Sequence, residues 1–460
     1  MRMFTVEEIV RGTQGALVGG DLGVPVTGVS IDTRSLGVGE AFFAIRGHHG
    51  DGHAFLRDAA GRGAPCVVVH ALPDDLPPAV AVVLVDDTTR ALGRLAAWHR
   101  QRFTVPVAAV TGSNGKTTTK EMMAAILAPL GPVLKPAGSF NNQWGLPLTL
   151  LELTEEHRAV VLELGANQPG EIESLAALSR PTVGVVTMIA SAHTEFFGSL
   201  DGVQTEKGAL VAAIPPEGAV VLNADDPRVL AMRARARARV LTVSATGEAD
   251  VRAVGVPVET AEGLAVTLEA RGGRRTARLH FAGLHNVTNA LAAAGAGLAL
   301  GLPLAEIVSG LEAARPAKGR CVWRRAGPLA ILDDTYNANP TSVRAALAVL
   351  ATAPGRRVVV LADMLELGVI AEEAHREAGR AVAAAGVAEL IGVGPLSRLT
   401  VEAAREAGLA EAQHAGTFED TMALALKRLA PGDAVLVKGS RGMRMERVAD
   451  ALVARFGGDD

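Results

Sequence analysis

Apolar residues along this chain fall into short, nearly unbroken runs of two kinds. Near the N-terminus, GVSIDTRSL, AFFAIRG, CVVVH and AVVLVDD alternate with turn residues and predict a small module of short strands and helices reaching to about residue 85. From Pro106 the runs VAAVTG, AVVLELGA, VGVVTMI and AVVLNADD are separated by helix-length segments. Strands without polar alternation belong in a parallel sheet covered on both faces, so a doubly wound domain is expected. Residues 249–281 read differently: short alternating stretches broken by EGL and RGGRR predict antiparallel hairpins added to that sheet. Beyond about Arg315, LAILDDTY, RRVVVLADM, ELIGVG and DAVLVKGS recur between Ala-rich spacers, which predicts a second α/β unit, Rossmann-like but lacking the GxGxxG loop.

The chain therefore reads as α/β in three domains. These are a small N-terminal α/β module (1–85), a central P-loop doubly wound parallel sheet with added antiparallel strands (86–315), and a C-terminal Rossmann-like domain (316–460). A length of 460 residues agrees with about three domains at roughly 150 residues each. With no repeat and no long flexible linker, the domains are expected to abut and to bind ligands at their junctions.

Composition narrows the function classes. Against 49 acidic residues stand 45 basic ones, a formal charge of -4 that offers no footprint for nucleic acid. Cys66 and Cys321 are the only cysteines and stand in no CxxC or Cys/His cluster, which argues against a disulfide scaffold or structural zinc and fits a reducing cytoplasm. The start MRMFTVEEIVRG carries charges where a secretory peptide needs an apolar core. Residues 287–305, VTNALAAAGAGLALGLPLA, are uncharged and approach spanning length. Their Ala and Gly content, with Gly301 and Pro303 ending the pattern, suits a helix packed inside a soluble domain, so the chain is not expected to be an integral membrane protein.

The chemistry starts at VTGSNGKTTTK, Val110 to Lys120. An apolar strand, a glycine turn and a segment with helical spacing follow in the order of a phosphate-binding loop, with the helix N-terminus facing the anion. The common pattern GxxxxGK[ST] wants Gly where this chain has Val110, so the loop is the shorter form GSNGKT. Gly112, Ser113, Asn114, Gly115, Lys116, Thr117 and Thr118 are its nucleotide-binding candidates. Lys116 supplies a charge and Thr117 a hydroxyl within reach of Mg²⁺.

Other residues leave alternatives open on chemistry alone. Glu163 ends the strand AVVLELGAN, where its carboxylate could meet Mg²⁺ or merely solvent. His193, in MIASAHTEFFGS, would lie at the same edge, although Mg²⁺ prefers oxygen ligands. Lys207, in VQTEKGAL, reads equally as a surface lysine. Asn286 and Asn289, in LHNVTNALAA, read equally as the cap and first turn of a helix.

Taken together, TGSNGKTTTKEM, SFNNQWGLPLTLL, ELGANQPGEI, AHTEFFGS with TEKG, HNVTNALAA, DDTYNANP and VKGSRG resemble, in order and over essentially the whole chain, the Mur ligases of bacterial cell-wall synthesis. YNANP, LADMLELG and KGSRG resemble the member that joins D-alanyl-D-alanine to UDP-N-acetylmuramoyl-tripeptide. The resemblance implies ATP-dependent amide formation through an acyl phosphate, with two Mg²⁺ ions; apart from it, the chain is expected to be a cytoplasmic monomer. Thr117 and Glu163 would hold one ion. His193 matches a ligand of the second, and Lys207 aligns with a lysine carbamylated to N6-carboxylysine. Lys116, Lys207, His193 and Glu163 are thus the residues expected to carry catalysis.

By the same resemblance, Asn286 and Asn289 are adenine-side residues, Arg320 a hinge residue near the nucleotide phosphates, and Asp334 and Tyr336 residues of the ribose and nucleotide pocket. The family's usual Ser before Tyr336 is here Thr335, which keeps a hydroxyl. Ser30, Asp32, Thr33 and Arg34 of SIDTR, with Gly47, Asp51 and His53, resemble a UDP-sugar-binding module. Asn141 and Asn142 are expected to face that substrate too. Asn337, Asn339, Lys438 and Ser440 are expected near the incoming amine. Two alternatives stand beside this reading. One is another Mur-type or folylpolyglutamate-type ligase, against whose folate form SIDTR and DGH argue. The other is a P-loop switch or transport ATPase, whose hydrophobic strand commonly ends in Asp rather than in Glu163 followed by a His and a Lys.

Overall fold

The unbroken Val and Leu runs form strands buried along their whole length, as Val107–Thr111, Ala159–Glu163 and Ala219–Asn223 illustrate. β-Branched side chains favour this extended state because their χ1 freedom is lost in a helix. The structure is a computed structural model that describes residues 3–47, 50–72, 76–138, 140–191, 194–260 and 263–457.

Nine strands run in the order Gly273–Leu279, Gly263–Ala270, Val251–Thr260, Arg239–Ser244, Ala219–Asn223, Val183–Val186, Val107–Thr111, Ala159–Glu163, Val133–Leu134. Ala219–Asn223 pairs parallel with Arg239–Ser244, whereas the strands from Val251 to Leu279 pair antiparallel, so the expected hairpins are present at that end of the sheet. A six-stranded sheet runs Val322–Ala326, Leu329–Asp334, Ala434–Lys438, Arg357–Ala362, Glu389–Val393, Ala412–Ala415, parallel except for its first strand. A five-stranded sheet runs Ala16–Gly19, Ala81–Leu84, Cys66–Val69, Glu40–Phe43, Gly28–Ser30, again with only the first strand antiparallel. The mixed α/β class expected from the runs is thus the one observed.

The chain forms two compact units, one of Met1–Ala109, Ala128–Ala166 and Gly170–Val183, the other of Val110–Leu127, Asn167–Pro169 and Gly184–Asp460. The first holds the five-stranded sheet, and the second holds the phosphate loop together with the six-stranded sheet.

The uncharged stretch after His285 is a helix, His285–Ala299, buried along nearly all of its length. Its small residues let it lie flush against its neighbours: a Cβ on Gly295 would stand 2.7 Å from Val221 Cγ1. Polar positions at its start and burial by protein, rather than lipid, explain its composition. Among the described residues, no helix is long and apolar enough to cross a membrane.

Candidate functional site

The loop between strand Val107–Thr111 and helix Lys116–Leu127 is pinned from behind. Ser113 N–H donates to Met188 O at 2.8 Å, and Ser113 Oγ both donates to Ala190 O and accepts from Ala190 N–H. Thr187 Oγ1 donates to Asn114 O at 2.6 Å. These bonds use the backbone after strand Val183–Val186 as a template, so the loop is held before any anion arrives. Gly112 and Gly115 have φ of +145° and +82°, and a Cβ there would come within 2.0 Å of Thr187 Oγ1 and 2.2 Å of Asn289 Oδ1 respectively. Both positions need glycine for space as well as for conformation. Lys116 Nζ donates to Gly112 O at 2.8 Å and Ser113 O at 3.3 Å, which curls the ammonium into the loop's own curve. Thr118 sits in the first turn of the helix behind it.

Asn289 is buried behind Gly115, where its Oδ1 accepts from Thr119 Oγ1 at 3.4 Å and its Nδ2 donates to Asn286 Oδ1 at 2.8 Å. Asn286 Nδ2 in turn donates to Ala282 O. Neither asparagine caps the helix, whose N-cap is Leu284 without a side-chain bond. The two amides act as a brace for the loop, and Thr187 is a brace that sequence reading missed: an isolated Thr after a strand carries no periodic or compositional signal.

The segment from Gly319 onward reaches this loop within the same unit. Arg320 Nη2 donates to Thr117 Oγ1 at 2.9 Å, while the Arg320 guanidinium lies over the Tyr336 ring with its Cζ 3.7 Å from the centroid. Such stacking suits a planar, weakly hydrated cation. Asn114 and Asn339 exchange two amide hydrogen bonds, at 2.8 and 3.3 Å. Asn339 is also the N-cap of helix Pro340–Ala351, in a capping box with Ser342 and with Pro340 in the first turn. Thr194 Oγ1 donates to Leu367 O at 3.0 Å, a third bridge.

At the carboxyl edge of the six-stranded sheet, Asp334 and Lys438 are register partners on adjacent parallel strands. Lys438 is 1% exposed and donates to Asp334 Oδ2 and Asn337 O. Ser440 is also buried; its hydroxyl accepts from Leu365 N–H and donates to Ala338 O. Asn337 Oδ1 accepts from Ala338 N–H. The residues expected near an amine are therefore spent, in large part, on holding these loops to one another.

Glu163 is 1% exposed at the end of its strand, and Asn141 Nδ2 donates to its Oε1 at 2.7 Å. Asn142 Oδ1 accepts from the N–H groups of Trp144 and Gly145 and so shapes the start of helix Gly145–Leu151. Lys207 is not the surface lysine its polar neighbours suggested: it is 2% exposed in helix Leu200–Ala213, with Nζ 5.7 Å from the Phe197 ring centroid. His193 lies outside the described residues.

In the other unit, the loops after three adjacent parallel strands bring together the SIDTR and DGH residues. Ser30 Oγ accepts from Asp32 N–H, and Asp32 takes Arg34 in a forked pair that holds its carboxyl below the usual range. Thr33 is buried beside them. Gly47 N–H donates to Gly50 O. Asp51, His53 and His70 place ligand-type atoms within 4.8 Å of one another. However, His53 Nδ1 bonds Asp51 Oδ1 at 2.7 Å, and Nε2 accepts from His70 N–H at 3.2 Å. Both ring nitrogens are therefore in use, with the tautomer fixed by the accepting Nε2, and the cluster reads as a brace rather than a metal centre. Asp51 is held below its ordinary pKa, chiefly by the His53 N–H.

A strand–loop–helix phosphate cradle met by an arginine and a capped helix from the following six-stranded sheet is a nucleotide-site architecture, and comparison with known proteins makes its class that of a ligase. Family models described as the Mur ligase family catalytic domain, the Mur ligase middle domain and the Mur ligase glutamate ligase domain match residues 25–100, 110–297 and 319–441. The chain belongs to the Mur ligase family. UDP-N-acetylmuramoyl-tripeptide–D-alanyl-D-alanine ligase of Escherichia coli is 39% identical, over 97% of this chain and 98% of that protein. The ligase of the same name from Bacillus subtilis is 32% identical over 98% of each. Among solved structures, MurF from Acinetobacter baumannii superposes with a TM-score of 0.89 at 34% identity, covering 98% of this chain and 99% of that one. MurF from Thermotoga maritima, in complex with ADP, gives 0.81 at 26% identity, over 93% and 97%.

Proposed function

We propose that the chain is an ATP-dependent ligase that joins D-alanyl-D-alanine to UDP-N-acetylmuramoyl-tripeptide in peptidoglycan precursor synthesis. The observation that carries this reading is the Arg320–Thr117 bond, which sets a cation of the C-terminal segment on the hydroxyl of a pre-formed phosphate loop. The names of the near full-length relatives support the choice of substrates.

The loop fits ATP, because its two glycines, at positive φ and pressed against Thr187 and Asn289, let the backbone curve as a phosphate cradle requires. Its backbone N–H groups and Lys116 hold the β- and γ-phosphates, Asn286 and Asn289 support the adenine side, and Arg320, Asp334 and Tyr336 complete the nucleotide pocket. Thr117 and the buried Glu163 are oxygen donors of the kind Mg²⁺ takes, and His193 and Lys207 would serve a second ion. The metal supplies positive charge against the phosphates. Lys207 is buried, and by its likeness to the family's modified lysine it would carry an N6-carboxylate, in which CO₂ has turned the cation into an anion suited to a metal ion.

The chain's part in the reaction is positioning and charge neutralisation. The tripeptide carboxylate attacks the γ-phosphate and ADP leaves. The amine of D-alanyl-D-alanine then attacks the acyl carbon, and phosphate departs with the bonding pair and takes up the amine proton. Residues 1–85, with Ser30, Asp32, Thr33, Arg34, Gly47, Asp51 and His53, take the UDP-sugar, joined by Asn141 and Asn142. Residues 86–315 take ATP, and residues 316–460 close on it and admit the amine beside Asn337, Asn339, Lys438 and Ser440. We take the ligase as a monomer of the cytoplasm, a compartment that two buried free thiols, with burial pushing Cys66 up to about 12, suit.

The deciding experiment gives purified protein ATP, Mg²⁺, UDP-N-acetylmuramoyl-tripeptide and D-alanyl-D-alanine and measures phosphate release. Release that needs both peptide substrates is expected; release indifferent to either one overturns the reading. Lys207→Ala should abolish turnover, with partial recovery on adding a short carboxylic acid, and a fully active variant would refute the carbamate.

A further inference from the structure

We infer that Lys438 is a positioning residue of the nucleotide site, acting through Asp334 to set the carboxylate that receives the ribose hydroxyls. The inference rests on the nucleotide reading given above. Lys438 is among the largest fully buried side chains of the protein. Its Nζ reaches Asp334 Oδ2 at 2.5 Å and Asn337 O at 2.8 Å, so the ammonium is directed onto the carboxylate and the loop that carries Tyr336.

Asp334 is clamped from two sides. Oδ2 takes the ammonium, and Oδ1 accepts from the N–H of Cys321 at 3.1 Å, presented by a residue with φ of +56°. Cys321 directly follows Arg320, which donates to Thr117 and lies over Tyr336. One carboxylate thus joins three parts of the nucleotide pocket: the hinge at 319–321, the loop carrying Tyr336, and the end of strand Ala434–Lys438.

Replacing a buried ion pair by apolar groups is often neutral for stability, so global stability alone does not account for Lys438. What the pair supplies is geometry and charge. Two fixed donors select one carboxylate rotamer, and the ammonium offsets a negative charge that would otherwise repel a polyphosphate nearby. The side chain of Asp334 keeps 14% of its surface open for a ligand, whereas that of Lys438 keeps 1%. Asp334 is therefore the member that can touch substrate.

The test compares wild type, Lys438→Met, Asp334→Asn and the double variant in steady-state kinetics and nucleotide binding, with ATP and with dideoxy-ATP, which lacks both ribose hydroxyls. Wild type is expected to prefer ATP by about tenfold or more, the scale of a hydrogen bond to a charged group. Lys438→Met should lose most of that preference, mainly by raising KM for ATP rather than lowering kcat. The double variant should be no worse than Asp334→Asn. An unchanged preference in Lys438→Met, or losses that multiply in the double variant, overturns the inference. Should Lys438→Met fail to fold because Asp334 is left unpaired, the double variant, which buries neither charge, is compared with Asp334→Asn: equal preference supports the inference and a further loss overturns it. A wild type indifferent to the two nucleotides overturns the ribose assignment of Asp334 and the inference with it, whereas a discriminating wild type with an equally discriminating Lys438→Met overturns the inference alone.

Discussion

Asn114 of the phosphate loop and Asn339 at the start of helix Pro340–Ala351 clasp each other by two amide hydrogen bonds, of 2.8 and 3.3 Å. Each amide is donor and acceptor at once, so the pair fixes both partners' orientation. Asn339 does double duty, because its Oδ1 also caps the helix at Ser342 N–H. Asn339→Asp keeps the cap and removes the donor to Asn114. Its melting temperature should stay near wild type while kcat/KM for ATP falls by roughly three- to tenfold, the worth of one hydrogen bond. Asn114→Ala should cost a similar factor, and the double variant little more than either alone. Additive losses would show that the clasp does not couple the two segments.

Gly115→Ala puts a methyl 2.2 Å from Asn289 Oδ1 at a backbone φ of +82°. Strain of about 1–3 kcal/mol joins the steric clash, so nucleotide affinity measured by calorimetry should fall by more than about tenfold. Adding Asn289→Ala relieves only the clash. Recovery in the double variant should therefore be partial, and full recovery would mean that backbone conformation is unimportant at this position.

Asn141→Ala removes the donor from Glu163 Oε1. With its orientation loosened, the carboxylate should bind Mg²⁺ less well. A several-fold rise in the Mg²⁺ needed for half-maximal turnover is expected, with kcat at saturating Mg²⁺ much less affected. A Mg²⁺ titration matching wild type would show that Asn141 does not act through Glu163.

His99 sits in the core between Phe4 and Phe103, each ring centroid 5.0 Å away, with Nε2 bonded to Leu153 O. Among the described residues Nδ1 has no partner. Burial lowers its pKa below the ordinary 6.5, partly opposed by the Leu153 carbonyl. The unfolded chain then takes up the proton first, so stability is lost as pH falls below about 6.5. His99→Phe should flatten this part of the profile in urea melts at about pH 7.5 and 5.5. An unchanged slope would assign the acid sensitivity to other groups.

Much of this was legible in order along the chain. Periodicity alone marked the parallel strands, the hairpins of 249–281 and the strand–loop–helix of the phosphate site, because buried strands and amphipathic hairpins impose local patterns. The motifs carried the family. Local sequence misled where burial decides meaning. Lys207 stands among polar neighbours yet is enclosed, and Lys438 belongs to a Gly-rich stretch yet lies under the sheet edge. Thr187 carries no signal in itself, and Asn141, expected on the UDP-sugar side, holds the Glu163 carboxylate, a partnership that only the fold reveals.

The sequence by itself determined the α/β class, the phosphate-loop motif with its glycine spacing, and the membership in a ligase family, since each depends on residues adjacent in the chain. Only the tertiary structure decided which side chains support and which are free to act. Asn114 with Asn339, Arg320 with Thr117, and Lys438 with Asp334 are pairs separated by a hundred residues or more. A hydrogen bond is decided by distance and direction in space, and chain order specifies neither until the sheets have set their edges.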